Sequence, residues 1–314
     1  MRTRSLLAVP LIVGAAAMAL SGCSTSSATG GSGSGSSDGG GGGGGAIRVV
    51  ASTNVYGGIV KTIGGAHVDV TSILDDPSQD PHSFEADART QLAVSKADIV
   101  IENGGGYDPY IDTLMKSTGS DADLVNVVKL SGLQKAGDDE FNEHVFYSYP
   151  TMTQFVARIQ AELTQRDTAD GATFATNATK LTAQLQKLES STSSLAEQYK
   201  GDRVSYTEPV PGYLFDAIGL DNVTPEAFSE AIEEGDDVPP AALNQTLNLF
   251  SGSDPVTLLA YNDQTSSPET EKVQRAAESA GVPVVGVTET LPKGEDYISW
   301  QQKNIARISA ALAK

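Results

Sequence analysis

From Ala46 onward, short runs of aliphatic and β-branched residues alternate with segments whose apolar positions recur every three to four residues. Ile47 to Ser52, Val68 to Leu74, Ile99 to Glu102 and Leu124 to Val128 read as buried strands, with short helices at Ala88 to Ala97 and Tyr107 to Lys116. After Pro150, Met152, Phe155, Val156, Ile159 and Leu163 fall on one face of a helix. A longer helix follows, because no Gly or Pro interrupts Gly171 to Gly201, and Phe174, Ala178, Leu181, Leu185, Leu188 and Leu195 keep the spacing of a narrow apolar seam. Thr168 or Asp170 can cap it. About 29 residues at 1.5 Å each make roughly 43 Å, enough to cross a small two-lobed protein. A coiled-coil dimer competes with this reading, but the many exposed Ser and Thr favour a strut within one chain.

The strand and helix alternation then resumes, with strands at Arg203 to Thr207, Val256 to Asn262 and Val282 to Val287 and helices at Tyr213 to Ile218 and Pro268 to Ala280. Ser267 as N-cap, Pro268 at N1, Glu269 and Glu271 in the first turn and Gly281 past the end support the last of these helices. Ile298, Ile305, Ile308 and Leu312 give a closing helix its buried face. The pattern predicts an α/β protein of two (β/α) lobes: residues 46–167, a linking helix at 168–201, and residues 202–314.

The residues before Ala46 belong to no such pattern. Arg2 and Arg4, an apolar run from Leu6 to Leu20 and small residues up to Cys23 form an export signal over residues 1–22. Cys23 is the single cysteine, so no disulfide forms within the chain, and it closes Leu20-Ser21-Gly22-Cys23. Those four residues resemble a bacterial lipobox, which implies cleavage before Cys23, lipidation of its thiol and anchorage to the outer face of the plasma membrane; an ordinary signal with a chance cysteine would leave the residue unexplained. Residues 24–45 are almost entirely Gly, Ser, Thr and Ala, too poor in apolar groups to order. As a coil they span about 25 Å, a tether that clears the lipid surface.

Composition narrows the partners. The 314-residue chain carries a formal net charge of −19, and loss of residues 1–22 removes two arginines and no acid, giving −21. Such a surface repels nucleic-acid phosphates and suits a protein that handles cations. A monomer is expected.

Histidine is scarce, three in the chain, and two of the three stand in turn-flanked aromatic runs away from any helical stripe: Asp80-Pro81-His82-Ser83-Phe84-Glu85 and Asn142-Glu143-His144-Val145-Phe146. The third, His67, precedes a strand and reads as an exposed turn residue. Ligands of open α/β sheets bind outside the carboxyl ends of the strands. Collecting polar residues there yields His82 and His144 from the first lobe and Glu208 and Asp263 from the second. Two imidazoles and two carboxylates suit a divalent first-row cation such as zinc or manganese. Taken singly, each carboxylate is more often a helix cap or a solvated loop charge, since the chain has 40 acids.

The two histidine motifs, Thr207-Glu208-Pro209-Val210-Pro211-Gly212-Tyr213 and the lipobox resemble the zinc and manganese solute-binding lipoproteins of ABC transporters, the cluster A-I type of metal-binding protein, in an actinobacterial style. The resemblance runs from Ala46 to Lys314 and implies two lobes bridged by a long rigid helix, with the metal in the cleft between them. It implies a histidine from each first-lobe motif, His82 and His144, a histidine or glutamate at Glu208, and an acid at the end of a later strand, placed here on Asp263. Glu143 stands where the family usually has proline, and the histidine-rich acidic loop of some zinc members is absent. The acidic run Glu226 to Asp237 reads first as a solvated helix face, with recruitment of cations or contact with a permease as the alternatives. The implied function is capture of a divalent metal, zinc favoured over manganese on intrinsic affinity, and delivery to an ABC transporter permease. The competing readings are a metal-dependent hydrolase and a surface adhesin. The hydrolase lacks a His-Glu-x-x-His helix, and ligation takes every histidine but His67, leaving only carboxylates or tyrosines as general base; no enzyme activity is expected.

Overall fold

The first lobe is built on a parallel sheet of order β2-β1-β3-β4 (Val68–Leu74, Ile47–Thr53, Ile99–Glu102, Asp123–Asn126). The second lobe repeats the plan with β6-β5-β7-β8 (Asp221–Asn222, Arg203–Tyr206, Leu259–Asn262, Val284–Val287). This computed structural model describes residues 45–76, 84, 86–137 and 141–314. The export signal, Cys23, all but the last residue of the tether, and His82 lie outside the described residues.

Between strands run α1 (Asn54–Gly64), α2 (Ala88–Lys96), α3 (Tyr110–Thr118) and α4 (Val127–Ser131) in the first lobe. In the second, α7 (Gly212–Ile218), α8 (Glu226–Glu233), α9 (Pro240–Asn248) and α10 (Pro268–Ser279) do the same, and α11 (Tyr297–Leu312) closes the chain. Sheet order 2-1-3-4 in each half puts a topological switch between β1 and β3 and between β5 and β7, where side chains after the strands converge on a crevice.

Several boundaries move for local reasons. The strand expected over Leu124 to Val128 stops at Asn126, whose side chain accepts from the Lys129 N–H and caps α4. Val256 is not in β7; its N–H donates to the Leu249 carbonyl and leaves only Leu259–Asn262 in the sheet. Helix α1 had no counterpart in the periodicity reading, yet it buries Val55, Tyr56, Ile59, Val60 and Ile63. Gly57 lets its backbone lie against β2, since a Cβ there would strike the Ser72 hydroxyl. The cap and termination expected for α10 are present: Ser267 accepts from the Thr270 N–H at 3.1 Å and Gly281 has φ of 76°.

Helices α5 (Tyr149–Arg166) and α6 (Gly171–Tyr199) connect the lobes. The 29-residue α6 buries Phe174, Ala178, Leu181, Leu185, Leu188 and Thr192 and packs on α1 and α5 of one half and α7 and α11 of the other. Its apolar seam is therefore filled from within the chain. Leu195 is only partly buried, because Thr192 takes the inward position there. Asp170 is the N-cap, but its carboxylate makes no capping bond and sits 3.1 Å from His67 Nδ1 instead. His67 thus differs from expectation: it is in a turn, but about one-third exposed, facing Asp167 and Asp170 with its ring edge on Phe174.

One continuous apolar core runs through both halves, from Val49 and Ile101 to Leu214 and Trp300. Polar bonds pin the lobes across it. Asn54 donates to the Leu291 carbonyl and accepts from its N–H, Tyr147 Oη donates to the Thr288 carbonyl and Tyr297 Oη to that of Phe146. The segment after β8 is consequently held by first-lobe side chains at both ends. No helix among the described residues is long and apolar enough to cross a membrane.

Candidate metal centre

His144 is placed by a short 3₁₀ turn at Val145–Tyr147 that anchors Phe146 and Tyr147 in the core. The ring itself is fully buried, edge-on to Tyr107 and Phe146. Its tautomer follows from its neighbour. Asn142 Nδ2 donates to the Pro209 carbonyl, so Asn142 Oδ1 faces His144, where it accepts from the backbone N–H at 3.0 Å and stands 2.9 Å from Nδ1. In the neutral ring Nδ1 therefore carries the proton, which leaves the lone pair on Nε2, the nitrogen suited to a metal.

Nε2 points at Glu289, with Oε2 at 3.6 Å. Glu289 is fully buried and follows β8 by two residues, fixed by its own N–H donating to Gln264 Oε1 at 2.6 Å. Glu208, two residues past β5 and 1% exposed, lies alongside. The amide of Asn262 ties the two acids together, Nδ2 donating to Glu208 Oε2 at 2.7 Å and to Glu289 Oε1 at 2.8 Å. Two buried carboxylates on one amide are mutually repulsive and expensive to desolvate, an arrangement that a bound cation would relieve.

The electrostatics point the same way. Burial alone would push the His144 imidazole down, but Glu289, Glu233 and Glu143 outweigh it and raise its pKa to about 9. Glu233, on α8, is raised to about 8 by burial, against the attraction of His144 and with the repulsion of Glu143, Glu208 and Glu289. Burial, then Glu289, pushes the Tyr107 hydroxyl well above its ordinary range. Without a metal the proton on His144 partly balances this negative cluster; a cation entering would displace it.

Of the residues expected from the sequence, the structure brings His144 and Glu208 into one cluster. It does not bring Asp263 there. Asn262 ends β7 with its side chain in the cluster, and alternation along the strand turns Asp263 to the other face. Asp263 is exposed, its carboxylate lies over Gly286 of β8, and it feels Arg307 on α11. The acid in the expected place is Glu289. It was reachable by the same rule that selected Glu208, a polar residue just past a strand, applied to the last strand, Val282 to Val287. Asn262 and Asn142 carried no such signal, being uncharged and positioned by strand phase and turn shape. Glu233 departs from the reading of Glu226 to Asp237 as a solvated face: α8 turns it inward to within 3.6 Å of His144 Nδ1. Nearest in sequence to His82 among the described residues, Phe84 lines a cavity of about 460 Å³ together with Glu143 and Glu233.

Residues 49–311 match the family described as zinc-uptake complex component A, periplasmic. An iron ABC transporter substrate-binding lipoprotein, MtsA of Streptococcus pyogenes serotype M1, is 23% identical over 290 residues, covering 85% of this chain and 89% of the relative. The manganese-binding lipoprotein MntA of Halalkalibacterium halodurans is 26% identical over 182 residues, 56% of this chain and 59% of the relative. Among solved structures, the periplasmic zinc-binding protein TroA of Treponema pallidum superposes with a TM-score of 0.72 at 19% identity, over 86% of this chain and all of the other. That likeness bears on the fold: two parallel-sheet lobes joined by a long helix.

Proposed function

Because the chain belongs to the zinc-uptake complex component A periplasmic family, we propose that it captures a divalent transition metal outside the cytoplasm and hands it to an ABC importer. The observation that carries this reading is the buried set of His144, Glu208 and Glu289, with one amide, that of Asn262, holding an oxygen of each acid. We assign these three as ligands, with His82 of the Asp80-Pro81-His82 motif as the fourth; Glu289 takes the role first given to Asp263. Two imidazole nitrogens and two carboxylates bind zinc more strongly than manganese on the intrinsic order, so zinc is the favoured cargo, while bidentate carboxylates would suit manganese.

A hydrolytic metal site keeps an open position for water. Here all three described ligands are buried, which favours carriage over turnover. In the full proposal Cys23 carries the lipid that holds the protein to the outer face of the plasma membrane, the Gly/Ser segment is the tether, and the partner is the importer's permease. Metal analysis of purified protein before and after chelation tests the core of it. One tightly held ion per chain is expected, lost in His144→Ala and in His82→Ala. No ion bound by the intact protein would end the proposal, and undiminished binding in either variant would remove that histidine from the set.

A further inference from the structure

The two edges of the His144 ring face different surroundings. Nε2 looks to Glu289 and the inner carboxylates. Nδ1 looks the other way, to Asn142 Oδ1 and, at 3.6 Å, to Glu233 Oε1. On that side carboxylate oxygens of Glu143 and Glu233 lie within 4.8 Å of each other and of a nitrogen of the ring. Only 9% of the Glu233 side chain is exposed, yet its Oε1 has no hydrogen-bond partner among the described residues. At 3.6 Å the imidazole is too far to donate a hydrogen bond, so this buried oxygen is stabilised when a cation comes to it.

Two cavities, of about 460 and 150 Å³, meet at this point, and both are lined by Phe141, Glu143, Glu233 and Glu234. The smaller adds Glu226 and Glu230. No lysine or arginine among the described residues lines either. Low-dielectric walls bearing one sign of charge focus the field and raise the local concentration of counter-ions.

We propose that Glu143 and Glu233 form a second, weaker cation position, an outer station through which the divalent cargo passes on its way to the inner ligands. This rests on the metal-carrying reading above. Asn142 already occupies Nδ1, so the station offers oxygen ligands only. Oxygen donors suit a cation that still keeps water, whereas the inner set supplies the imidazole nitrogen preferred by zinc. Capture is then stepwise: the ion enters the acidic cavity hydrated, pauses between Glu143 and Glu233, and passes the ring to its Nε2 side.

Stopped-flow association of zinc, competed against a zinc-chelating dye at several ionic strengths and at a pH above about 8, where Glu233 is ionised, tests this on the full chain. In Glu233→Gln, and separately in Glu143→Gln, the association rate should fall about tenfold or more and lose much of its salt dependence. One tight zinc per chain should still bind, and Glu278→Gln, an exposed charge change elsewhere, should leave the rate near wild type. Wild-type rate and salt dependence in both variants would overturn the station. Loss of the tight zinc in Glu233→Gln would also overturn it, by making Glu233 an inner ligand. Failure of the wild-type chain to bind zinc or manganese at all is a distinct result, and it sinks the metal-carrying reading itself.

Discussion

Replacing Glu289 by glutamine separates a ligand from a bystander, because the side chain keeps its shape and loses only its charge. Asn262 Nδ2 donates to Glu289 Oε1 at 2.8 Å, and the glutamine carbonyl can still accept that bond. Its amide nitrogen then occupies the oxygen position facing His144 Nε2, where it cannot ligate. Loss of a group that only supports a ligand costs about 10- to 100-fold in metal affinity, so loss of a ligand should cost at least about 100-fold, or about 2.8 kcal/mol at 1.4 kcal/mol per decade. A bound from the other side comes from the charge. A carboxylate and a dication about 4 Å apart, at an effective dielectric of about 20, attract by about 8 kcal/mol. Zinc titration against a chelator of known affinity should therefore show Glu289→Gln weakened by two decades or more, with Asp263→Asn within about twofold of wild type. A cooperative unfolding transition retained by the metal-free variant distinguishes ligand loss from misfolding. Undiminished zinc affinity in Glu289→Gln alongside a large loss in Asp263→Asn would refute both the reassignment and the strand-phase argument for it.

The remaining expectations concern pH, anchorage and the lobe interface. The folded His144 pKa, raised from about 6.5 to about 9, contributes stability that is present below about pH 6.5 and lost as pH rises through 9. Glu233, raised from about 4.5 to about 8, likewise favours its protonated form, so the melting temperature of metal-free protein should fall between pH 6 and 9; a flat or rising profile by calorimetry contradicts the buried, anion-surrounded histidine. Cys23→Ser should leave the melting curve intact and shift the exported protein from the membrane fraction to the medium, and unchanged membrane association would remove the lipid anchor. Asn54→Ala strips both bonds from the Leu291 backbone at the lobe contact. It should cost about 1–3 kcal/mol, seen as a drop of several degrees in melting temperature, and no change would mean that water replaces the asparagine.

The sequence by itself determined what repeats or punctuates. Strand runs, the capped helix at Pro268 and the uninterrupted span after Gly171 are local signals, set by hydrogen-bond period and backbone freedom within a few residues. His144 and Glu208 were legible because histidine is scarce and because a charged residue past a strand end is conspicuous without any tertiary information. The rest required three dimensions. Asn262 and Asp263 are neighbours in sequence, and only the phase of β7 in its sheet decides that the amide faces the cluster while the acid faces Gly286 and Arg307. Glu289 reaches His144 because Asn54 and Tyr147 of the first lobe hold the segment from Thr288 to Leu291, contacts between residues up to 237 positions apart. Glu233 looks like one charge in an acidic run until α8 packs Phe228 and Ile232 into the second lobe and carries it inward. Charge at a strand end is a property of the chain, whereas the direction of a carboxylate is a property of the packing around it.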